Sequence, residues 1–311
     1  VGNTLNKTLT YQENDTIIDI KGERGLNLIF DKRKGGLSSF RYEGFDYLKS
    51  SLVPDFWRVN TDNDDWDSEN NVWKNAISKM QVLQVTVEPA TAVSKKEKKY
   101  EQIKVHVKTQ FTVSEKPQHT IFFDTDYTVH ADGSIRVDNY FTPNYYNGES
   151  NMSIPRIGQV VNMNSELSLA QWYGRGPWEN YSDRKTSALV GEYEMPVSEL
   201  PYNYIRPQEN GYRTDVRWLK LKSPDGHALK ITGEPIFCFN IQFTGQDGYF
   251  TNDGARMRSS VNMVKEQNYY LNIDYAQKGV GGDNSWGKPV HSEYLVLLRY
   301  HAYSFWLQPE L

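Results

Sequence analysis

Alternation of apolar and polar residues with period two runs through most of the chain and leaves little freedom in fold class. Ile103, Val105 and Val107 alternate with Lys104, His106 and Lys108, and Phe111 and Val113 continue the apolar side. Successive side chains of a strand point to opposite faces, so such a segment buries one face and wets the other, as antiparallel strands do. The pattern recurs from Ile121 to Val129 and from Ile135 to Phe141, around Ala131-Asp132-Gly133. Asp-Gly between two alternating runs is a hairpin signal, because both residues tolerate the backbone of a tight turn. Further strands are predicted over 16–20, 26–30, 37–42, 80–87, 229–232, 237–243, 269–274 and 294–306, with one short helix over 72–79. Strands at this density, separated by Gly, Asn and Pro turns, predict an all-β, antiparallel sandwich.

The 311 residues would suit two domains, but β-sandwiches exceed that length as single units. Residues 1–15 read as a lead-in and 16–311 as one domain. The turn-rich stretch 143–155 is expected to cross between the two sheets of that domain. Four lysines around Glu97, in 95–99, read as a solvated hairpin tip. A net charge of −4 supplies no basic field for nucleic acid. No apolar run approaches the roughly 20 residues of a membrane helix. Cys238, the single cysteine, lies between Phe237 and Phe239 and reads as a buried, inert thiol. The six histidines show no close zinc-type spacing, so no metal is expected on this chain. His301, among Tyr300, Tyr303 and Phe305, reads as a packed side chain. The 21 Tyr, 8 Trp and 13 Phe suit half-buried strand positions first and sugar faces second. Val1 stands without an initiator Met or a basic-then-apolar leader, so a longer parent is expected. The compartment is left open, cytoplasmic or periplasmic.

Three segments concentrate turn residues, rings and charges. In 172–184, Gly174 and Gly176 allow close backbone approach, Pro177 fixes the exit, and Glu179, Asn180, Asp183 and Arg184 follow. An ion pair beneath the turn is the expected use of Glu179, Asp183 and Arg184. No third glycine and no helix follow, so a nucleotide cradle does not fit. The second segment carries Pro207, Glu209, Asn210 and Gly211, then Arg213 and Arg217. The third runs through Asn272 and Asp274 to Gly281-Gly282-Asp283-Asn284-Ser285-Trp286. An indole on such a loop, held by Asp and Ser turn bonds, suits stacking on a sugar.

Together with Arg58-Val59-Asn60-Thr61-Asp62-Asn63-Asp64, these segments resemble the C-terminal, small-chain domain of bacterial β-galactosidases of glycoside hydrolase family two. Four signatures match in family order: Arg-x-x-x-Asp-Asn-Asp, Gly-x-Gly-Pro-x-Glu-Asn-Tyr-x-Asp-Arg, Pro-x-Glu-Asn-Gly, and Gly-Gly-Asp-(Asp/Asn)-Ser-Trp. The match fades at Asp65-Trp66-Asp67, which leaves the 65–79 loop without an assigned role. The resemblance implies a large antiparallel supersandwich like that of galactose mutarotases. It implies that Trp286 lines a galactoside pocket completed by a catalytic barrel, with Asp283, Asn284 and Ser285 positioning the loop. Hydrolysis with retention needs two carboxylates about 5 Å apart. In the family both glutamates, and a Mg or Na ion, lie on the barrel, and nothing here alternates strands with helices as a barrel would. Glu179 and Glu209 are therefore read as structural, no cofactor is expected on this chain, and the chain alone should be inactive. Its expected partners are the galactoside shared with the barrel, the other domains of the parent chain and, in the parent, further copies in an oligomer. Two other readings are a free-standing carbohydrate-binding module of weak affinity and an aldose mutarotase, whose usual His and Glu acid–base pair has no recognisable motif here.

Overall fold

The structure, a computed structural model, describes residues 7–66, 68–115, 118–144, 152–284 and 290–311. Five short strands, β1 (Thr10–Glu13), β2 (Ile17–Lys21), β3 (Asn27–Asp31), β4 (Gly36–Tyr42) and β5 (Phe45–Asp46), form an antiparallel meander in chain order. Strand β1 pairs with β2, so this sheet begins inside the stretch read as a lead-in. The larger sheet contains β6 (Val53–Asp55), β7 (Gln81–Ser94), β8 (Lys99–Glu115), β9 (Gln118–His130), β10 (Ile135–Asn144), β11 (Arg156–Met163), β12 (Leu169–Gly176), β13 (Leu189–Pro196), β14 (Arg213–Lys222), β15 (Ala228–Gln242), β16 (Tyr269–Gln277) and β17 (His301–Glu310). Its main path runs β13-β12-β14-β15-β17-β10-β9-β8-β7.

This sheet forks at β15. Residues 228–234 pair with β17, whereas Cys238–Gln242 pair with β16, which leads on to β11 and β6. The runs 229–232 and 237–243, read separately from sequence, are thus two halves of one strand with different neighbours. Proline at 235 breaks the alternation between them, and Glu234 to Ile236 are exposed. The fork is what gathers β6, β11, β15 and β16 at one end of the sandwich.

The long hairpins behave as the alternation requires. Ile103 and Val105 are fully buried and Val107 nearly so, while Lys104 and Lys108 are exposed. The 95–98 segment is the turn between β7 and β8. A single α-helix, α1 (Ser68–Ser78), begins four residues earlier than predicted. It packs on β8, with Trp73 and Ala76 buried. Trp73, Phe111, Phe123 and Phe141 all meet Phe56 edge-on, at centroid distances of 4.9–6.2 Å. Each such ring contributes roughly 1.5–3 kcal/mol by leaving water, so this cluster fixes β6 and the helix against the long strands.

One predicted strand is shorter than expected. Residues 294–300 do not join a regular ladder: a 3-10 turn spans Ser292–Tyr294 and β17 starts only at His301. Val296 and Leu298 are nevertheless buried and accept or donate backbone hydrogen bonds with Ile154 and Met152. Apolar burial therefore mimicked a strand pattern in an irregular segment. The connection from β10 to β11 links two arms of the forked sheet, and 145–151 within it lie outside the described residues. His301 is packed as expected, between Phe141 and Tyr275, and burial lowers its pKa. Burial also pushes the Cys238 thiol up to about 12.

Candidate functional site

The fork brings the four sequence motifs to one place. Arg58, just after β6, is buried and grips Asp64 with two parallel hydrogen bonds of 3.0 and 3.1 Å. The same guanidinium donates to the Lys278 carbonyl and, at 2.7 Å, to the Gly279 carbonyl. The first motif thus anchors the backbone leading into the fourth. Lys278 adds a buried contact to Asp64 at 3.3 Å. Burial alone would raise the Asp64 pKa, but Arg58 and Lys278 outweigh it and hold the carboxyl at about 2.

Asp183 performs a second anchoring, not the ion pair expected of it. Its carboxylate accepts hydrogen bonds from Val280 N at 3.1 Å and Gly281 N at 2.7 Å. A Cβ on Gly279 would lie 2.6 Å from the Asp183 carboxyl carbon, so a glycine is needed for this approach. Glu179 joins the second segment to the third. It accepts from Arg184 at 2.6 Å, from the Tyr204 hydroxyl, and from Gly211 N at 2.7 Å. Gly211 has φ +75°, a region that penalises any Cβ. Asn180 is fully buried, with its amide oxygen accepting from Thr214 N and Oγ1 and its amide nitrogen donating to the Trp178 carbonyl. Asn210 accepts from Tyr202 N and donates to the Gln208 carbonyl. Arg213 donates to the carbonyls of Leu200, Gly211 and Pro177, which binds the turn after β12 to the segment around Pro207. Gly174 and Gly176 lie at the end of β12, where their missing side chains admit Val216 and Tyr193.

Beneath these segments lies a charged layer that motif reading did not find. Arg156, at the start of β11, sits 3.1 Å from Asp55, 3.4 Å from Glu209 and 2.9 Å from Asp274. All four groups are buried. The contact to Asp274 is out of line for a hydrogen bond, so it acts through charge alone. Glu209 also accepts from Asn240 at 2.9 Å and Gln277 at 3.2 Å. Burial raises its pKa, while Arg156 and Arg58 pull it back. Burial also lifts Asp274 well above the usual carboxylate range. Glu179 and Glu209 are therefore both committed to partners within the fold. Arg156 follows no glycine or aromatic motif, and only its place after Pro155 at a strand start could have drawn attention to it.

Beside Glu209 of this layer opens a cleft of about 390 Å³. Thr61 and Asp62 come to it from the first motif, Tyr181 and Arg184 from the second, Tyr204 and Glu209 from the third, and Gly281 and Asn284 from the fourth. At its rim Arg206 and Arg256 both contact Asp62 and Asp65, at 2.5–3.1 Å. Asp65 thus has a structural role that its departure from the family signature had obscured, and Arg256 was not foreseen. Asp283 meets His291 at 2.7 Å, an exposed pairing that raises the His291 pKa. This contact spans the two ends of 284–290. Ser285 and Trp286 lie outside the described residues. No group of three or more His, Cys, Asp or Glu suited to a metal ion occurs among the described residues.

The family described as β-galactosidase small chain matches residues 22–307. The chain belongs to this family. It is 30% identical to the β-galactosidase of Priestia megaterium over 97% of its own length and 27% of that protein. The β-galactosidase of Halalkalibacterium halodurans is 30% identical over 91% of this chain and 26% of that one. The chain thus spans about a quarter of the curated relatives it matches. Among solved structures, the galactose 1-epimerase of Lactobacillus acidophilus aligns over 98% of both chains at 9% identity, with a TM-score of 0.48. In this chain the four motifs identified in sequence are the segments that converge on the cleft.

Proposed function

We propose that this chain is the domain of a β-galactosidase that completes the galactoside pocket of a catalytic barrel and supports its architecture. Membership of the small-chain family supports the coarse assignment, and one observation carries the finer one: Arg58 and Asp183, distant in sequence, both spend their charged groups on holding the 278–281 backbone at the rim of one cleft. A loop anchored by Arg58 and Asp183 from two directions is pre-organised to present the residues that follow it. In this reading Trp286 forms the apolar wall on which the galactose ring stacks, with Asp283, Asn284 and Ser285 setting its position. The nucleophile, the acid/base and a Mg or Na ion belong to the barrel, and Glu179 and Glu209 hold the cleft together.

The test is Trp286→Ala in an intact β-galactosidase carrying this domain. Loss of one stacking contact of about 1–3 kcal/mol raises KM roughly 5- to 150-fold, with the domain still folded. An unchanged KM removes Trp286 from the pocket. The isolated chain is expected to show no hydrolysis of a β-galactoside, and measurable turnover would refute the shared-site reading.

A further inference from the structure

A second and larger cavity, of about 710 Å³, lies beside the cleft and shares only Glu209 with it. Small-molecule sites fall in the range of about 300–1,000 Å³. Its walls come from β6, β15 and β16, and its rim from the end of α1 and the turn Gln246–Tyr249.

Amide side chains face this space alongside charged ones. The buried ions around it are matched within the fold: Arg156 with Asp55 and Glu209, and Arg58 with Asp64. Gln246 and Asn272 donate to Asp55 at 3.1 and 2.9 Å, and Asn240 donates to Glu209 at 2.9 Å. The amide nitrogens are thereby engaged, and the amide oxygens are the acceptors left over. Carboxylates and cations line the cavity in similar numbers, so nothing selects an anion, and the deepest carboxylates are already spent on Arg156. The rings of Tyr249 and Tyr270 and the aliphatic side chains of Val53 and Ile77 add apolar surface. Hydroxyl donors on an apolar framework are what this mixture matches.

We propose that the cavity is a binding site for a neutral saccharide of one or two pyranose rings, separate from the cleft and independent of the role assigned to Trp286. Calorimetric titration of the 311-residue chain with galactose, glucose and lactose tests it. The comparison uses wild type, Gln246→Ala, Ser78→Trp and Trp286→Ala, each checked for folding by its thermal transition. Ser78 is an exposed residue at the rim, at the end of α1, where an indole obstructs entry without touching the floor. Saturable binding of at least one sugar is expected, weakened tenfold or more by both Gln246→Ala and Ser78→Trp and unchanged by Trp286→Ala. Absence of saturable binding for all three sugars overturns the proposal, as does binding that both cavity variants leave intact. Binding lost only in Trp286→Ala also overturns it while leaving the cleft reading standing. The KM measurement on the intact enzyme addresses that reading separately.

Discussion

Replacing Arg156 by Met keeps an unbranched stem and removes one buried positive charge from among three carboxylates. The distances of 2.9–3.4 Å place Asp55, Glu209 and Asp274 in direct contact with it. A charge pair at such a distance is worth about 5–6 kcal/mol at an effective dielectric near 20. Part of that attraction offsets the desolvation of the ions, and removal of one partner from a buried network costs about 3–5 kcal/mol. A loss of about 3–5 kcal/mol at pH 7 is therefore expected for Arg156→Met, measured as a lower urea midpoint at unchanged slope. The loss also depends on pH. Burial places Asp274 and Glu209 above their ordinary pKa values in the folded state, and removing Arg156 raises them further. A carboxyl with a raised folded pKa binds more protons folded than unfolded, so stability increases as pH falls toward its unfolded value near 4. The deficit of the variant should thus be smaller at pH 5 than at pH 7. Measurements stay above pH 4.5, because Asp64, held at about 2, contributes stability that is lost as pH falls from about 4 toward 2. A deficit under about 1 kcal/mol at pH 7, or an equal deficit at both pH values, would refute the assigned role of this network.

Two other perturbations probe how the cleft is built. Asp183→Ala removes two charge-assisted hydrogen bonds to the 280–281 backbone, and for this half-buried group a loss of roughly 1–2 kcal/mol is expected in thermal unfolding. In the intact enzyme the same change should raise KM, and unaltered stability together with unaltered KM would show that the loop is held by other contacts. Gly158→Ala places a Cβ 1.9 Å from Asp274 Oδ1, against the carboxylate layer. A destabilisation of at least about 2 kcal/mol is expected by urea unfolding, and a neutral result would mean that β11 and β16 can separate freely at this point.

The residues of the long hairpins carried their structure openly. Ile103, Val105 and Val107 declare a buried face by alternation, and Asp132-Gly133 declares the turn beyond it, because these preferences act over a few neighbouring residues. The motifs were equally legible: glycines at 174, 176, 211 and 279 mark close approaches that no other residue permits. Where signals became non-local, the reading blurred. The 229–243 segment looked like two strands because its halves pair with different neighbours, and 294–300 looked like a strand because its apolar residues are buried without a regular ladder. Asp183 was assigned to its near neighbour Arg184, yet its partners lie 97 and 98 residues away.

The sequence by itself determined an all-β sandwich, its family, and the four segments that matter, since period, turn chemistry and motif order are all written along the chain. Only the tertiary structure decided that those segments share one cleft, that Arg156 sits among three buried carboxylates, and that a second cavity opens beside the cleft. Those facts depend on which strands the fork at β15 brings together, and buried charge is paired by distance in space, to which spacing along the chain is blind.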